Sequence, residues 1–371
     1  MIYLDSAATT LQKPPQVARA VARAISTMAS PGRGGHRWAM AAAETVFQCR
    51  ETAAELFQVP TPEQVVFTCN ATHALNLALH TLVHPGDAVL VSGYEHNAVT
   101  RPLAALGADI RVATSPLFQP ETFLADFSHK LDERVSCVVC THVSNVFGYR
   151  LPIEKVARLC RERGVPFVID ASQSAGCLPV SLKKLGADFI AMPGHKGLYG
   201  PQGTGLLLCG RVGEPLLAGG TGSRSLSQEM PEFLPDRLEA GTHNVCGIAG
   251  LLEGLRFVRR WGTDAIFRRE HRLLAETVHR LRAVPGVEVF SDDGREQNGV
   301  LSFQVDGWDC ESLCDRLARE GVALRAGLHC APYAHRSAGT LESGTLRVSF
   351  SAFNTPEEAV AFTRILKRVL S

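Results

Sequence analysis

Between residues 64 and 209 short apolar runs alternate with helical segments, and no other feature constrains this chain as strongly. The runs at 64–69, 88–92, 109–113, 135–141, 165–170 and 187–193 are rich in β-branched and aromatic residues, with small polar turns or loops between them and the helices. Apolar strands this short and this continuous belong in a parallel sheet covered on both faces. Strands alternating with helices make an α/β domain. A last run at 205–209 follows G-P-Q-G-T-G and reads as an antiparallel return. That turn lacks the G-K-[ST] ending of a nucleotide-binding P-loop.

Ligands bind outside the carboxyl ends of the strands in such a sheet. Two chemically useful residues sit there: Asp170, at the end of V-P-F-V-I-D, and Lys196, in the turn after A-D-F-I-A-M-P. An acid able to pair with a protonated ring nitrogen, beside a lysine able to form a Schiff base, is the minimum equipment for pyridoxal phosphate (PLP). The same two residues also suit a plain buried ion pair. A third strand end leads through Asn70, Ala71 and Thr72 into a helix, which is either an anion seat or an ordinary N-cap.

A chain of 371 residues exceeds one ordinary core, and its length predicts roughly two to three domains. Net charge is +1 with no basic block or acidic tail, so neither nucleic acid nor an anionic membrane is an expected partner. No apolar run approaches the ~20 residues of a membrane-spanning helix. M-I-Y-L-D-S-A-A-T-T does not read as a signal peptide, and a cytoplasmic location is expected. The eleven cysteines do not read as a disulfide framework. Cys69, Cys137, Cys140, Cys160, Cys209 and Cys246 lie in apolar runs and read as small core residues. The Cys137/Cys140 pair falls on a strand, where residues three apart point to opposite faces. Cys310 and Cys314 have no second ligand pair, and no metal site is expected.

The N-terminal 12 residues read as extended, and helices are expected at 14–28 and 38–57, joined by the basic, Gly-rich loop S-P-G-R-G-G-H-R. A long irregular segment spans 213–244, which is unusual unless functional. Beyond it come helices at 245–261 and 263–283, strands at 287–290 and 299–305, a helix at 309–319, strands at 322–325 and 345–351, and a closing helix. This α+β pattern predicts a smaller domain of residues 1–14 and 263–371 beside a large one of 15–262.

The motifs, taken in order, carry a resemblance. They are L-D-S-A-A-T-T at 4–10, G-Y-E-H-N at 93–97, H-V-S-N-V-F-G at 142–148, I-D-A-S-Q-S at 169–174 and G-H-K-x-x-Y-G-P-x-G from 194. L-E-A-G-T-H-N at 238–244, R-A-G-L-H-C-A at 325–331 and T-L-R-V-S at 345–349 follow. End to end the chain resembles the class V aminotransferase family, in its cysteine desulfurase and selenocysteine lyase branch. The resemblance implies PLP-dependent transferase fold type I: a large α/β domain with a mostly parallel, seven-stranded sheet, plus the smaller α+β C-terminal domain. It also implies a role for each matching residue. Lys196 would hold PLP, and Asp170 would keep the ring nitrogen protonated. His96 would stack on the ring and move protons. Gln173 and Asn145 would reach the phenolic oxygen. Ala71, Thr72 and His195 would seat the phosphate, joined by Thr242 from the other subunit of a homodimer. Arg347 would take the substrate carboxylate in a bidentate fork, with Asn145, His36 and Arg325 nearby.

Two positions depart from the family pattern. Pro193 stands where a phosphate-binding serine is usual, and Leu328 replaces the first of two histidines before the cysteine. Cys330 reads as the nucleophile, set among Arg325, His329 and His335, whose positive charge would lower its thiol pKa. The implied reaction turns L-cysteine into L-alanine, leaving a persulfide on Cys330 for a protein sulfur acceptor, of the kind that feeds iron–sulfur cluster assembly. Cys330 and Arg347 are only 17 residues apart, which is similar to the second desulfurase group with its short, held loop. Three other readings share these residues: a selenocysteine lyase or other β-lyase, a class V transaminase or epimerase with Cys330 incidental, and a non-catalytic sulfur-relay scaffold.

Overall fold

The computed structural model describes residues 1–32, 34–292 and 296–371, so Arg33 of the Gly-rich loop lies outside the described residues. Seven strands form the main sheet, in the order Val65–Thr68, Gly205–Cys209, Phe189–Pro193, Phe167–Asp170, Val135–Thr141, Ala88–Ser92 and Asp109–Ala113. All neighbours are parallel except Gly205–Cys209, which runs antiparallel to both of its partners, as the turn before it predicts. The central strands carry apolar side chains on both faces because helices cover both. Along Val135–Thr141, Val138 and Cys140 pack into one core cluster, while Cys137 and Val139 pack into the other. Burial pushes the Cys137 and Cys140 thiols up, which suits neither a metal nor a redox pair.

The second sheet is antiparallel, in the order Arg325–Gly327, Thr345–Ser349, Val300–Val305, Val287–Phe290. Its core joins Leu4 to residues 273–366. The sequence reading needs correction in several places here. The strand expected at 322–325 is two strands: Val322–Ala323 pairs with Ile2–Tyr3, and Arg325–Gly327 joins the four-stranded sheet. The N-terminal segment forms a strand only at Ile2–Tyr3, then a parallel bridge from Asp5 to Ser349 and a turn. Two short helices, Leu182–Leu185 and Pro332–Ala338, carry too weak a pattern to be read beforehand. Cys69 is exposed, because its strand ends at Thr68, and Cys246 is half-buried. Among the described residues no helix is long and apolar enough to cross a membrane, and no cluster of His, Cys, Asp and Glu is suited to a metal.

Candidate active site

The carboxyl ends of four parallel strands open onto one cavity of about 450 Å³. Thr141 and Asp170 are register partners, as are Asp170 and Ala191, so Asn145, Asp170 and Lys196 emerge side by side. The strand Ala88–Ser92 delivers His96, which caps the helix Asn97–Ala105. Of the residues expected at the site, Ala71, Thr72, His96, Asn145, Asp170, Gln173, His195, Lys196, Arg325, Cys330 and Arg347 all line this cavity.

Asp170 is buried, and its Oδ1 accepts the Ser172 N–H at 2.8 Å. Its second oxygen makes no hydrogen bond among the described residues. The Lys196 amine is held down at about 8, chiefly by burial; Asp170 pulls it back up, and Arg347 and Arg325 push it down. His96 accepts the Ala98 N–H on Nδ1 at 2.9 Å, so its neutral ring carries the proton on Nε2. Burial lowers its pKa, opposed by the Asp170 charge. Gln173 donates Nε2 to the Ala7 carbonyl at 2.9 Å and keeps one N–H unspent.

At the helix Ala71–Leu82, Asn70 accepts the His73 N–H with Oδ1 at 2.9 Å, and its own carbonyl takes the Ala74 N–H. The Ala71 and Thr72 N–H groups stay unspent at the cavity wall, the arrangement that binds anions at a helix N-terminus. His195 lies across from them with Nδ1 buried and unpartnered, its pKa pushed down to about 4 mainly by burial. Pro193 lines the same wall and offers no donor, but Gln202 and Ser172 line the cavity too and bring polar groups that the sequence reading missed.

Arg347 is buried; Nη1 donates to the Asn145 carbonyl and Nη2 to Asp5 Oδ1, each at 2.9 Å. Its Nε has no partner. Asp5 went unread as a site residue although it sits in the first motif. So did Glu95, in G-Y-E-H-N, a fully buried carboxyl accepting from Ser92 Oγ at 2.5 Å and the Thr141 N–H at 2.7 Å. Burial, and after it the Asp170 charge, push Glu95 up to about 8.

Cys330 is exposed, and among the described cysteines it alone lines the cavity. Its cationic setting is thinner than the sequence suggested. His329 is neutral: burial and Arg347 hold its pKa well below the ordinary value, and its ring bonds the Thr345 carbonyl at 3.2 Å. His335 is fully buried on the helix Pro332–Ala338, with Nδ1 on Thr340 Oγ1 at 2.8 Å and a pKa down to about 4 from burial. Only Arg325 keeps its charge beside the thiol, and Asp5 binds it. Two further expected residues are not brought into the cavity of this chain. His36 is exposed and caps the helix Arg37–Phe57, accepting the Ala39 N–H at 3.3 Å. Thr242 is exposed beside a separate small cavity that also borders Glu239 and His243.

Comparison with known proteins finds matches to the whole chain. The Aminotransferase class-V family pattern covers residues 2–362. A probable cysteine desulfurase of Mycolicibacterium paratuberculosis is 35% identical across all of this chain and 55% of its own length. The chain thus spans about half of that relative. A probable cysteine desulfurase of Xylella fastidiosa is also 35% identical, across all of this chain and 91% of its own. Among solved structures, a cysteine desulfurase from Thermococcus onnurineus superposes with a TM-score of 0.91 at 32% identity, covering 99% of this chain and 94% of that one. The cysteine desulfurase CsdA from Escherichia coli gives 0.87 at 28% identity, covering 100% and 94%.

Proposed function

The chain belongs to the class V aminotransferase family, and from that premise we propose that it is a cysteine desulfurase, which converts L-cysteine to L-alanine and takes the sulfur as a persulfide on Cys330. One observation carries the reading: the exposed Cys330 thiol lines the same cavity as Lys196 and Asp170. The residues there fit PLP. A buried carboxylate with one oxygen unspent, two free helix N–H groups, an unpartnered imidazole nitrogen and a lysine with a depressed pKa match, in turn, its ring nitrogen, its phosphate and its aldehyde. When bound, PLP supplies an aldehyde that captures amines and a ring that draws electrons from the substrate's α-carbon.

The chain's own groups do the rest. Asp170 holds the ring-nitrogen proton through its open oxygen. Ala71, Thr72 and His195 bind the phosphate, and Gln173 offers its remaining N–H to the phenolic oxygen. Lys196 Nζ, neutral in good part near pH 8, takes the α-proton. Arg347 binds the carboxylate through its unspent N–H groups, with Asn145 holding the guanidinium in place. His96, in the cavity wall, carries an exchangeable proton on Nε2 that it would supply beside the bound cofactor. Cys330 Sγ, as thiolate, attacks the substrate sulfur: the S–S bond of the persulfide forms, the substrate Cβ–S bond breaks with its electron pair going to the carbon side, and protonation at Cβ gives alanine. A protein acceptor then takes the sulfur at the cavity mouth.

The same reading makes the enzyme a homodimer. Thr242 and His36 are exposed and away from this chain's cavity, which supports their reaching the site of a second copy. It also divides the chain into a large unit, 15–262, and a small one of 1–14 and 263–371. The packing of Leu4 into the core of residues 273–366 supports that division. The test incubates the purified protein with L-cysteine and measures alanine, sulfide and pyruvate. Alanine and sulfide in equal amounts, lost together in Cys330→Ala, are expected; pyruvate with ammonia would overturn the reading.

A further inference from the structure

Arg325 and Arg347 are direct cross-strand partners on adjacent antiparallel strands, and both line the cavity. Like charges placed directly opposite repel. Asp5 resolves this pair. Its Oδ1 takes Arg347 Nη2 at 2.9 Å, and its Oδ2 takes Arg325 Nη2 at 2.9 Å and Nε at 3.1 Å. Asp5 reaches this position because Ile2–Tyr3 pairs with Val322–Ala323 and the chain then runs onto the four-stranded sheet, in the bridge from Asp5 to Ser349. Its side chain is only 12% exposed, Arg347's 3%, and Arg325's 53%.

Two guanidiniums at one wall would ordinarily invite a dicarboxylate. One resident carboxylate reduces them to a single net positive charge. Arg347 Nη1 and Nη2 each carry a second N–H beyond the bonds to Asn145 and Asp5, so donors remain for one further carboxylate. We propose that Asp5 is a specificity-determining residue: it cancels one of two cationic charges at the substrate wall and so disfavours substrates that carry a second carboxylate. This rests on the reading of Arg347 as the substrate's carboxylate anchor. Asp5 acts through the two arginines rather than by touching substrate.

The experiment compares propionate, a monoanion, with succinate, a dianion, on the holoenzyme at pH 7.5. Binding is measured by isothermal titration calorimetry and, separately, as competitive inhibition of L-cysteine turnover. In Asp5→Asn the ratio of the propionate to the succinate dissociation constant should rise at least tenfold, screening at the half-exposed Arg325 limiting the effect. Asp5→Glu should return it to the wild-type value, and so should the double variant Asp5→Asn/Arg325→Gln, which restores the net charge. Arg325→Gln alone, with Asp5 retained, should weaken both acids, succinate more. An Asp5→Asn variant that weakens both acids equally would show a purely structural role and overturn the proposal. An unchanged ratio would do the same. Should Asp5→Asn fail to fold, unaltered binding of both acids by Arg325→Gln overturns it instead. If the wild type releases no alanine and sulfide from L-cysteine, the proposed function fails, while the calorimetric ratio still decides the role of Asp5.

Discussion

Lys196 should titrate unlike a free lysine, and the shift can be read without cofactor. Burial lowers its pKa to about 8 from 10.5. The sign follows from the charge: a cationic acid held in a poorly solvated place gives up its proton at lower pH. At pH 7.5 about a quarter of Lys196 amines are neutral, against about one in a thousand for a free lysine, a ratio of roughly 240. The perturbations are Asp170→Asn and Arg347→Gln. Asp170 raises the lysine's pKa and Arg347 lowers it, so the first variant should move the midpoint down and the second up. Trace acetylation of the apo protein across pH 6 to 11, with Lys196 followed by peptide mass spectrometry, measures the midpoint. Labelling should rise with pH, turn over near 8 and plateau above it. A Lys196 midpoint coinciding with that of the exposed lysines, or an upward shift in Asp170→Asn, would refute the reasoning.

Three further outcomes follow from burial and close packing elsewhere in the large sheet. Glu95 is buried with a pKa raised from 4.5 to about 8, so its contribution is full below pH 4.5 and lost as pH rises toward 8. Glu95→Gln removes that dependence, so urea unfolding at pH 5 and 8 should show the variant gaining on wild type by on the order of 1 kcal/mol per pH unit; a pH-independent difference counts against it. Glu239 pairs with buried Arg50 and accepts the Phe67 N–H at 2.5 Å, and Glu239→Ala should cost about 3–5 kcal/mol in urea unfolding by stranding the guanidinium. A loss under 1 kcal/mol would mean that solvent reaches Arg50. A Cβ on Gly205 would lie 2.7 Å from Thr68 Oγ1 and 2.9 Å from Asn70 Cα. Gly205→Ala should therefore displace the helix start at Ala71 and weaken PLP binding about tenfold in an absorbance titration, roughly the loss of one hydrogen bond; unchanged affinity would place the phosphate elsewhere.

The large sheet was legible because its strands are buried on both faces, which leaves a continuous apolar signature ending in chemically distinct residues. Asp170, Lys196, Asn145 and His96 each sit at or just past such an end. The second sheet was less legible because pairing there depends on distant partners. Nothing near Val322 reveals that Ile2–Tyr3 will pair with it while Arg325 turns to another sheet. Asp5 was missed for the same reason: its partner Arg347 lies 342 residues away. His335 was misread because local polarity hides that the helix Pro332–Ala338 turns it inward. Cys69 sits one residue past its strand, and a boundary error of one residue moved it from surface to core.

Positioning of the thiol is a matter of backbone rather than of charge. His329 and Cys330 are consecutive non-glycine residues with φ of 49° and 56°. Each such residue costs about 1–3 kcal/mol, and persists only where surrounding contacts enforce it. Three contacts do so: Asn145 Nδ2 holds the His329 carbonyl at 2.8 Å, the Asn97 N–H holds the Cys330 carbonyl at 2.7 Å, and the His329 ring holds Thr345. Two of the three come from the elements that carry Asn145 and His96 into the cavity. The thiol is therefore fixed relative to the groups that would flank the ring, and the helix Pro332–Ala338 leaves little slack beyond it. A loop tied in this way cannot carry sulfur outward on a long arm. Under the function proposed above the acceptor must reach the cavity mouth, so mutations that lengthen the 330–347 segment should leave alanine formation in the presence of a small-molecule reductant intact while slowing transfer to a protein acceptor.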